Sequence, residues 1–378
     1  MLGASKNTTK MITVYMSEYL INLKILLSFW DIIRRRDFTL GKTVRELEGK
    51  LASYCGAKYA IGVGNATDAL ILSLKACGIG PGDEVITSAV GFFSTAGAIT
   101  WVNAKPVFVD ANLETSNIDV SKIEPAITPR TKAILPVHLN GRIADMEPIL
   151  AIAKKHGLFV ITDAAQAIGS KYKGKPVGEW GDFVCLSFGY SKILETYGDG
   201  GMIFTNRSEL AEKVWPLRTY GARSWAEIHT NNKVVGVASR LNSFQAAVLL
   251  EKLKYTEARI QKQRQHYLLY RELLKGAGDV KFLRDDADYY LNGYRLPVLT
   301  EQRGALRDFL LRKGKKVYNW YPVPLPRLPA FQNLEYKKGD FPNAERIAAE
   351  CLILPTHFSI PKKKIAQIAN LVRLFYQV

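Results

Sequence analysis

The sequence contains few cysteines and lacks a disulfide pattern. Its four cysteines, Cys55, Cys77, Cys185 and Cys351, are far apart and form no C-x-x-C pair. This spacing argues against a disulfide framework and predicts free thiols in a reducing compartment. The first residues, MLGASKNTTK, are followed by no apolar core. We therefore expect no signal peptide and a cytoplasmic protein.

Long uninterrupted hydrophobic runs are also missing. The segment from Tyr19 to Ile33 is apolar, but Asn22, Lys24 and Asp31 interrupt it. It is too broken to cross a bilayer, so we expect no membrane span. A helix that lies on the surface or packs in a dimer is the simpler interpretation. Attachment to a membrane surface is the alternative.

Acidic residues are outnumbered by basic ones, 35 to 52, which gives a formal net charge of +17. A nucleic-acid surface, a membrane surface or attraction of anionic small molecules would each explain this excess. The densest clusters are Arg34–Arg36, Lys313–Lys316 and Lys362–Lys364. None belongs to a recognisable nucleic-acid module, so we expect an ordinary solvated surface and no nucleic-acid partner. An anionic substrate fits the charge without being required by it.

The 378 residues suffice for one large domain and one smaller one, and 47% of them are apolar. From Lys58 onward, short apolar runs alternate with helical patterns. This alternation predicts an α/β fold with a mostly parallel central sheet covered by helices. The predicted strands are YAIGVG, GDEVITSAV, AKPVFVD, TKAILPVHL, LFVITDAA, DFVCLSF and GGMIFTN.

The pattern changes after about Leu241. The residues from Leu241 to Leu274 predict one long amphipathic helix, and a smaller α+β unit follows it. We place the boundary near Lys254, so that residues 1–254 form a large domain and residues 255–378 a small C-terminal one.

The turn from Gly62 to Asp68 joins a predicted strand to a predicted helix. Asn65 is a candidate N-cap and Thr67 adds a hydroxyl. Unpaired amides at a helix N-terminus suit a phosphate. A dinucleotide fingerprint would need a third glycine near Thr67, so an ordinary strand-to-helix turn remains the alternative.

Several polar residues follow predicted strands and should meet at the carboxyl edge of the sheet, where ligands of such sheets bind. Asp163 ends one strand, and its carboxylate suits the protonated ring nitrogen of a bound ligand, although a helix cap is the alternative role. Gln166, three residues further on, would reach an oxygen on the ring of the same ligand. Ser187 ends the next strand, and Lys192 follows it in a loop. A carboxylate, an amine and phosphate-type donors together suit pyridoxal 5′-phosphate (PLP), whereas a lone loop lysine is usually solvated.

The chain resembles the DegT/DnrJ/EryC1/StrS nucleotide-sugar aminotransferases, which are PLP enzymes of fold type I. The resemblance runs from about Phe38 to the C-terminus. It is carried by GVGNATDAL, GIGPGDEVITSAVGFFSTAGAI, KPVFVDANLETSNID, ITPRTKAILPVHLNGRIADM, ITDAAQAIGSKYKG, GDFVCLSFGYSK, YGDGGMIFTN, SRLNSFQAAVLLEKL and YPVPLPRLPAF.

The resemblance implies roles for eight residues. Lys192 would be the Schiff-base lysine, Asp163 would pair with the pyridine nitrogen, and Gln166 would meet the ring hydroxyl. The remaining implied roles are phosphate contacts for Ala66, Thr67 and Ser187, stacking on the cofactor ring for Phe92, and lining of the sugar pocket for Tyr321. Core packing is the alternative for Phe92. No metal is implied.

Three positions depart from the family pattern. Ile168 and Pro326 stand where many members have histidine, and Ala238 stands where members commonly have an asparagine that reaches a neighbouring subunit's phosphate. The first two departures concern substrate contacts. The third removes one contact across a subunit interface, worth ~1–3 kcal/mol if nothing replaces it.

The resemblance implies transfer of an amino group from L-glutamate to a nucleotide-linked keto sugar by a homodimer. GVGNATDAL favours amination at C3 of a dTDP-3-keto-6-deoxyhexose, with C4 amination of a 4-keto sugar as the alternative. A PLP-dependent sugar dehydratase is a rival, but dehydratases of the family have histidine at the position of Lys192. A non-catalytic regulatory or nucleic-acid-binding protein is a second rival, and only the net basic charge supports it.

Overall fold

The computed structural model describes residues 6–223 and 225–377. Its helices in this part of the chain are α1 (Lys6–Arg35), α2 (Lys42–Cys55), α3 (Ala66–Ala76), α4 (Phe93–Trp101), α5 (Met146–His156), α6 (Ser208–Leu217), α7 (Ser243–Leu253), α8 (Thr256–Leu273), α9 (Arg303–Arg312), α10 (Pro342–Glu350) and α11 (Lys362–Phe375). Its strands are β1 (Tyr59–Val63), β2 (Glu84–Ser88), β3 (Lys105–Val109), β4 (Thr131–Leu135), β5 (Phe159–Asp163), β6 (Lys171–Tyr172), β7 (Lys175–Pro176), β8 (Phe183–Ser187), β9 (Gly201–Thr205), β10 (Lys281–Phe282), β11 (Tyr289–Tyr290), β12 (Leu296–Leu299) and β13 (Cys351–Leu354).

The central sheet has seven strands in the order β1-β9-β8-β5-β4-β2-β3. Within this sheet β9 alone runs in the direction opposite to the other six strands, so the predicted mostly parallel sheet is confirmed. All seven predicted strand segments belong to it. These segments are continuous apolar runs because helices cover both faces of a parallel sheet and bury its strands on both sides.

Alternate residues of each central strand face two separate cores. Ile134 and Val184 join a core that includes α2, α5, α7 and α8. Leu135 and Phe183 join the other, which includes α3, α4 and α6. The period of two along the strands therefore explains why helices cover both faces of the sheet.

The predicted single helix from Leu241 to Leu274 is wrong, because the structure contains two helices, α7 and α8. They are separated at Lys254 and Tyr255. The Thr256 hydroxyl donates to the Lys252 carbonyl over 3.2 Å, and the Tyr255 ring packs beside α1. Local hydrogen bonding and tertiary packing thus override a continuous apolar period. The proposed boundary at Lys254 falls at this break, and the domain division itself stays a prediction.

Two smaller antiparallel sheets complete the fold. One consists of β10, β12 and β13 in the C-terminal part. The other has the order β11-β6-β7, so a C-terminal strand pairs with the first of two strands that follow β5. This pairing fixes the segment around Asn292, whose side-chain amide donates to the carbonyls of Gln166 and Ile168. The C-terminal part is thereby held against the carboxyl edge of the central sheet.

Candidate active site

The carboxyl edge of the central sheet brings together residues from separate parts of the chain. Strand β5 ends at Asp163, and its parallel neighbour β8 ends at Ser187. Lys192 follows β8 after a short loop and therefore emerges at the same edge. The Asp163 carboxylate, the Ser187 hydroxyl and the Lys192 amine were expected at one edge of the sheet, and they lie there because the two strands pair in parallel.

Asp163 is buried, with only 4% of its surface exposed. Thr95 Oγ1 donates to Oδ2 over 2.7 Å, and the backbone amide of Ala165 donates to Oδ1 over 3.1 Å. Two short turns, at residues 165–166 and 168–169, follow Asp163 in place of a helix, so the alternative of a helix cap at Asp163 is wrong. Because each carboxylate oxygen accepts more than one hydrogen bond, the group retains capacity for a protonated ring nitrogen.

Gln166 connects the sheet edge to the C-terminal part of the chain. Its Oε1 accepts from the Asn140 amide over 2.8 Å, and its Nε2 donates to the Tyr321 hydroxyl over 3.2 Å. Burial raises the pKa of Tyr321 above its ordinary value, so this hydroxyl stays protonated at neutral pH. The structure therefore places Tyr321 directly beside Gln166.

Phe92 precedes α4 and remains 52% exposed. The alternative of ordinary core packing is therefore wrong. Its ring centroid lies 6.4 Å from that of Tyr321. An exposed aromatic ring beside the site is available to stack on a planar ligand, and its stacking on the cofactor stays a prediction.

The N-terminus of α3 supplies donors for an anion. Asn65 Oδ1 accepts from the Asp68 amide over 2.8 Å, which confirms Asn65 as the N-cap. The amides of Ala66 and Thr67 open the helix and have no intrahelical acceptor. Together with the Thr67 hydroxyl, they form the kind of donor set that binds phosphate at helix N-termini.

A glycine holds this helix start against the central sheet. Gly201 of β9 pairs with Ser187. A Cβ atom at Gly201 would lie 2.4 Å from the carbonyl carbon of Asn65 and 2.9 Å from the nitrogen of Ala66. Only glycine permits this approach. Ser187, the partner of Gly201 on β8, therefore lies one strand away from the free amides of α3. The Ser187 hydroxyl and these amides are neutral hydrogen-bond donors, and they fit the phosphate of PLP.

Lys192 is half-buried, unlike an ordinary surface lysine. Its backbone amide donates to the Gly189 carbonyl over 3.3 Å. Its Nζ atom lies 5.5 Å from the ring centroid of Tyr294, a residue from the C-terminal part. The amine thus lies between the sheet edge and the C-terminal part of the chain.

The three departures from the family pattern have different surroundings. Ile168 is buried and belongs to the core that includes α2 and α8. Pro326 is buried in a short 3₁₀ helix, whereas Ala238 is exposed and forms an isolated β-bridge with Thr219. Ile168 is therefore a packing residue in this chain. Ala238 presents no side-chain donor that would replace the missing asparagine.

Sequence reasoning missed Thr95, Asn140 and Tyr294. Thr95 lies in the quoted GFFST stretch, but no spacing indicates that its hydroxyl meets Asp163. Asn140 contributes a backbone amide, and its residue type carries no information about that role. Tyr294 reaches the site from more than a hundred residues along the chain.

His138 is fully buried next to the site. Its backbone amide donates to the Asp163 carbonyl over 2.9 Å, and its Nδ1 accepts from the Ala144 amide over 3.2 Å. Burial lowers the pKa of His138 from 6.5 to about 3. The imidazole is therefore neutral across the physiological range.

This lowered pKa predicts a loss of stability in acid. Between pH 6.5 and about 3 the unfolded histidine binds a proton that the folded one does not, so unfolding becomes easier as pH falls. The His138→Asn variant keeps an acceptor for the Ala144 amide and does not titrate. From pH 7.5 to 5.5, we expect the wild-type free energy of unfolding to fall by about 1.4 kcal/mol more than that of the variant. Urea unfolding at both pH values measures this difference, and equal losses would contradict it.

Within residues 6–223 and 225–377, no cluster of three or more histidine, cysteine or acidic side chains is arranged to hold a metal ion. A search of the same residues finds no helix long and apolar enough to cross a membrane.

A model of the DegT/DnrJ/EryC1/StrS aminotransferase family matches residues 21–373. The chain belongs to this family. The match begins inside α1 and covers the site, the C-terminal sheet and most of α11. The resemblance inferred from the sequence motifs is thus confirmed, and it extends upstream of Phe38.

Two relatives and one solved structure are similar to this chain over more than nine-tenths of its length. The "Pleiotropic regulatory protein" of Geobacillus stearothermophilus is 44% identical over 92% of this chain and 93% of its own length. The "UDP-N-acetyl-3-dehydro-alpha-D-glucosamine 3-aminotranferase" of Acidithiobacillus ferrooxidans is 39% identical over 93% of each chain. The crystal structure of S. venezuelae DesV has a TM-score of 0.92 and 32% identity, covering 96% of this chain and 97% of the other.

These similarities confirm the fold class, the aminotransferase activity and the cofactor. The chain is an aminotransferase of PLP fold type I, and its cofactor is PLP. The donor set at the sheet edge agrees with this cofactor, because it offers a carboxylate for the ring nitrogen and neutral donors for the phosphate.

Proposed function

We propose that this aminotransferase moves the amino group of L-glutamate to a keto sugar linked to a nucleoside diphosphate. The observation that carries the proposal is the placement of Lys192, Asp163 and Gln166 at one sheet edge beside the open amides of α3. The name of the A. ferrooxidans relative specifies a UDP-linked 3-dehydro sugar, which is a nucleotide-linked keto sugar and supports this substrate class.

Each residue near the ring has a distinct task. When bound, PLP supplies an electron-withdrawing ring that stabilises negative charge on the carbon losing a proton. Asp163 would keep a proton on the ring nitrogen. The Lys192 amine would hold the cofactor until the donor amine displaces it, and the released amine would then take a proton from the donor α-carbon and return one to the cofactor. Gln166 would orient the ring hydroxyl, and Phe92 would cover one face of the ring.

The phosphate group would be held by Ala66, Thr67 and Ser187. Two of these residues contribute helix amides and two contribute hydroxyls, with Thr67 contributing both. Such fixed donors orient the cofactor without competing for its protons. Tyr321, hydrogen-bonded to Gln166, would line the entrance that the sugar uses.

The position of amination is proposed as C3 of a dTDP-3-keto-6-deoxyhexose. The GVGNATDAL motif favours C3, and the name of the A. ferrooxidans relative also specifies amination at C3, of a UDP-linked sugar. The alternative is C4 amination of a nucleotide-linked 4-keto sugar. A panel of 3-keto and 4-keto sugars on different nucleotides, incubated with L-glutamate and followed by mass spectrometry, tests this choice. A C4-aminated product alone would overturn the proposal for C3.

Two other functions predict different outcomes. A sugar dehydratase would release water and leave no nitrogen on the sugar, and Lys192 disfavours it. The G. stearothermophilus relative is named as a regulatory protein, so a non-catalytic role is the second candidate. Colourless purified protein that shifts DNA on a gel at moderate salt would favour that role over catalysis.

A homodimer is also proposed, with the outer face of α1 as part of its interface. The inner face of α1 packs on α7 through Ile21, Ile25 and Val248. Large apolar side chains that are 43–68% exposed cover the outer face: Tyr19, Leu20, Leu23, Leu26, Leu27, Trp30 and Ile33. The spacing of Tyr19, Leu23, Leu26, Trp30 and Ile33 alternates four and three residues. This spacing is typical of the apolar seam along which two helices pack on one another. A continuous apolar stripe of this size is typical of an interaction site.

We expect the Leu26→Asp/Trp30→Glu double variant to dissociate into monomers, because charges cannot be buried unpaired in an apolar interface. Analytical ultracentrifugation of the holoenzyme measures the change. The Lys24→Glu variant, altered at an exposed polar position of the same helix, should remain dimeric. A wild-type monomer, or a double variant that stays dimeric, would contradict this interface.

We also propose a cytoplasmic location. Cys55, Cys185 and Cys351 are buried free thiols, and Cys77 is a half-buried one. Burial raises the pKa of Cys55 to about 12, so that thiol is unreactive. Free cysteines of this kind are typical of reducing compartments.

A further inference from the structure

Arg295 and Lys192 both lie near the ring of Tyr294, and Arg295 does not belong to the cofactor-binding set. Its Cζ atom lies 4.7 Å from the ring centroid of Tyr294, and Lys192 Nζ lies 5.5 Å from the same centroid. The two cationic groups are therefore within about 10 Å of one another, with one aromatic ring as their common neighbour. This places a guanidinium within reach of a substrate that reacts beside Lys192.

Aromatic contacts fix the orientation of this guanidinium. Cζ of Arg295 lies 3.6 Å from the ring centroid of Trp320, and its Nη2 donates to the Tyr294 hydroxyl over 3.1 Å. Stacking of a guanidinium on an aromatic face leaves its N–H groups directed outward in its own plane. Arg295 is thus preorganised to bind a planar anion.

The positive charge of Arg295 has no acidic partner in residues 6–223 and 225–377. Its only hydrogen bond there is the one to Tyr294, so four of the five N–H donors of a guanidinium have no protein acceptor. Neighbouring aromatic rings also displace water from a cation. A partly desolvated guanidinium of this kind binds carboxylates in bidentate geometry.

The surroundings of Arg295 also belong to the candidate site. The ring of Trp320 lies 5.2 Å from that of Tyr321, measured between centroids. Tyr321 in turn meets Gln166, which is close to Asp163 in the chain. Aromatic and hydrogen-bonded contacts therefore connect the guanidinium to the groups expected around the cofactor ring.

We propose that Arg295 is a specificity-determining residue that binds a carboxylate of the substrate. The inference rests on the proposed function and extends it to a chemical class of substrate. The carboxylate belongs either to the dicarboxylate amino donor or to an acceptor sugar that carries a uronic acid group. Both sources present the same planar anion to the same donors.

Calorimetric titration of the holoenzyme with unreactive probes tests this site directly. Glutarate represents the donor, and UDP-glucuronate represents an acidic acceptor, with UDP-glucose as its neutral counterpart. We expect Arg295→Met to weaken binding of a carboxylate probe by about 10- to 100-fold, because charge-assisted hydrogen bonds are lost. Arg295→Lys, which keeps the charge but not the planar fork, should weaken it less. Arg312→Met, altered at an exposed residue at the end of α9, should bind as the wild type does.

The identity of the weakened probe distinguishes the two sources. If Arg295→Met loses affinity for glutarate alone, the carboxylate belongs to the amino donor. If it loses affinity for UDP-glucuronate while its affinity for UDP-glucose is unchanged, the carboxylate belongs to the acceptor sugar. The proposal is overturned if Arg295→Met binds both acids as tightly as the wild type, or if the wild type binds neither. These probes do not react, so the result is independent of whether the wild type aminates any sugar in the product panel.

Discussion

The Lys192→Ala variant should lose at least about a thousandfold in the rate of amino transfer, because no other group in the site replaces both the covalent attachment and the proton transfer. The half-buried amine lies over the Tyr294 ring beside the sheet edge that carries Asp163. The measurement is the single-turnover rate with L-glutamate, followed by the absorbance of the cofactor.

Two further variants separate chemistry from folding. Lys192→Arg keeps a positive charge but cannot supply a neutral amine at neutral pH, so it should be as inactive as the alanine variant. Lys338→Ala, changed at an exposed position, should keep wild-type activity. Wild-type turnover by Lys192→Ala would remove this residue from the mechanism.

The Asp163→Asn variant should lower kcat by about 10²- to 10⁴-fold, because an amide cannot stabilise a proton on the pyridine nitrogen as a carboxylate does. The carboxylate is already fixed by Thr95 Oγ1 over 2.7 Å and by the Ala165 amide. Asparagine retains the shape of the side chain, so the loss should appear in kcat rather than in cofactor content.

A companion variant tests whether the carboxylate acts directly. Thr95→Val removes one hydrogen bond to Asp163 and leaves the charge, so its rate should fall only about tenfold. Steady-state kinetics with measured PLP content compares both variants. An Asp163→Asn rate within threefold of the wild type would show that ring protonation does not depend on this residue.

The sequence was sufficient to predict the sheet and the edge at which the site forms. Burial on both faces makes each central strand a continuous apolar run, and such runs are visible without a structure. Polar residues at the ends of those runs, including Asp163 and Ser187, therefore had a predictable location. Asn65 was also predictable, because capping depends on a local residue type and spacing.

Contacts between distant segments could not be predicted in the same way. The bond between Gln166 and Tyr321 joins residues far apart in the chain, and the bond between Thr95 and Asp163 joins two different elements. The break at Tyr255 also arises from packing against α1, which no helical period records. These features depend on tertiary structure, and local pattern carries no signal for them.

Borohydride reduction of the purified holoenzyme, followed by peptide mass spectrometry, shows which lysine forms the covalent bond with the cofactor. Reduction converts a carbon–nitrogen double bond between lysine and the cofactor aldehyde into a stable bond. We expect loss of the yellow colour and a single modified peptide that carries a phosphopyridoxyl group on Lys192. Modification of a different lysine, or bound cofactor that leaves Lys192 unmodified, would contradict it.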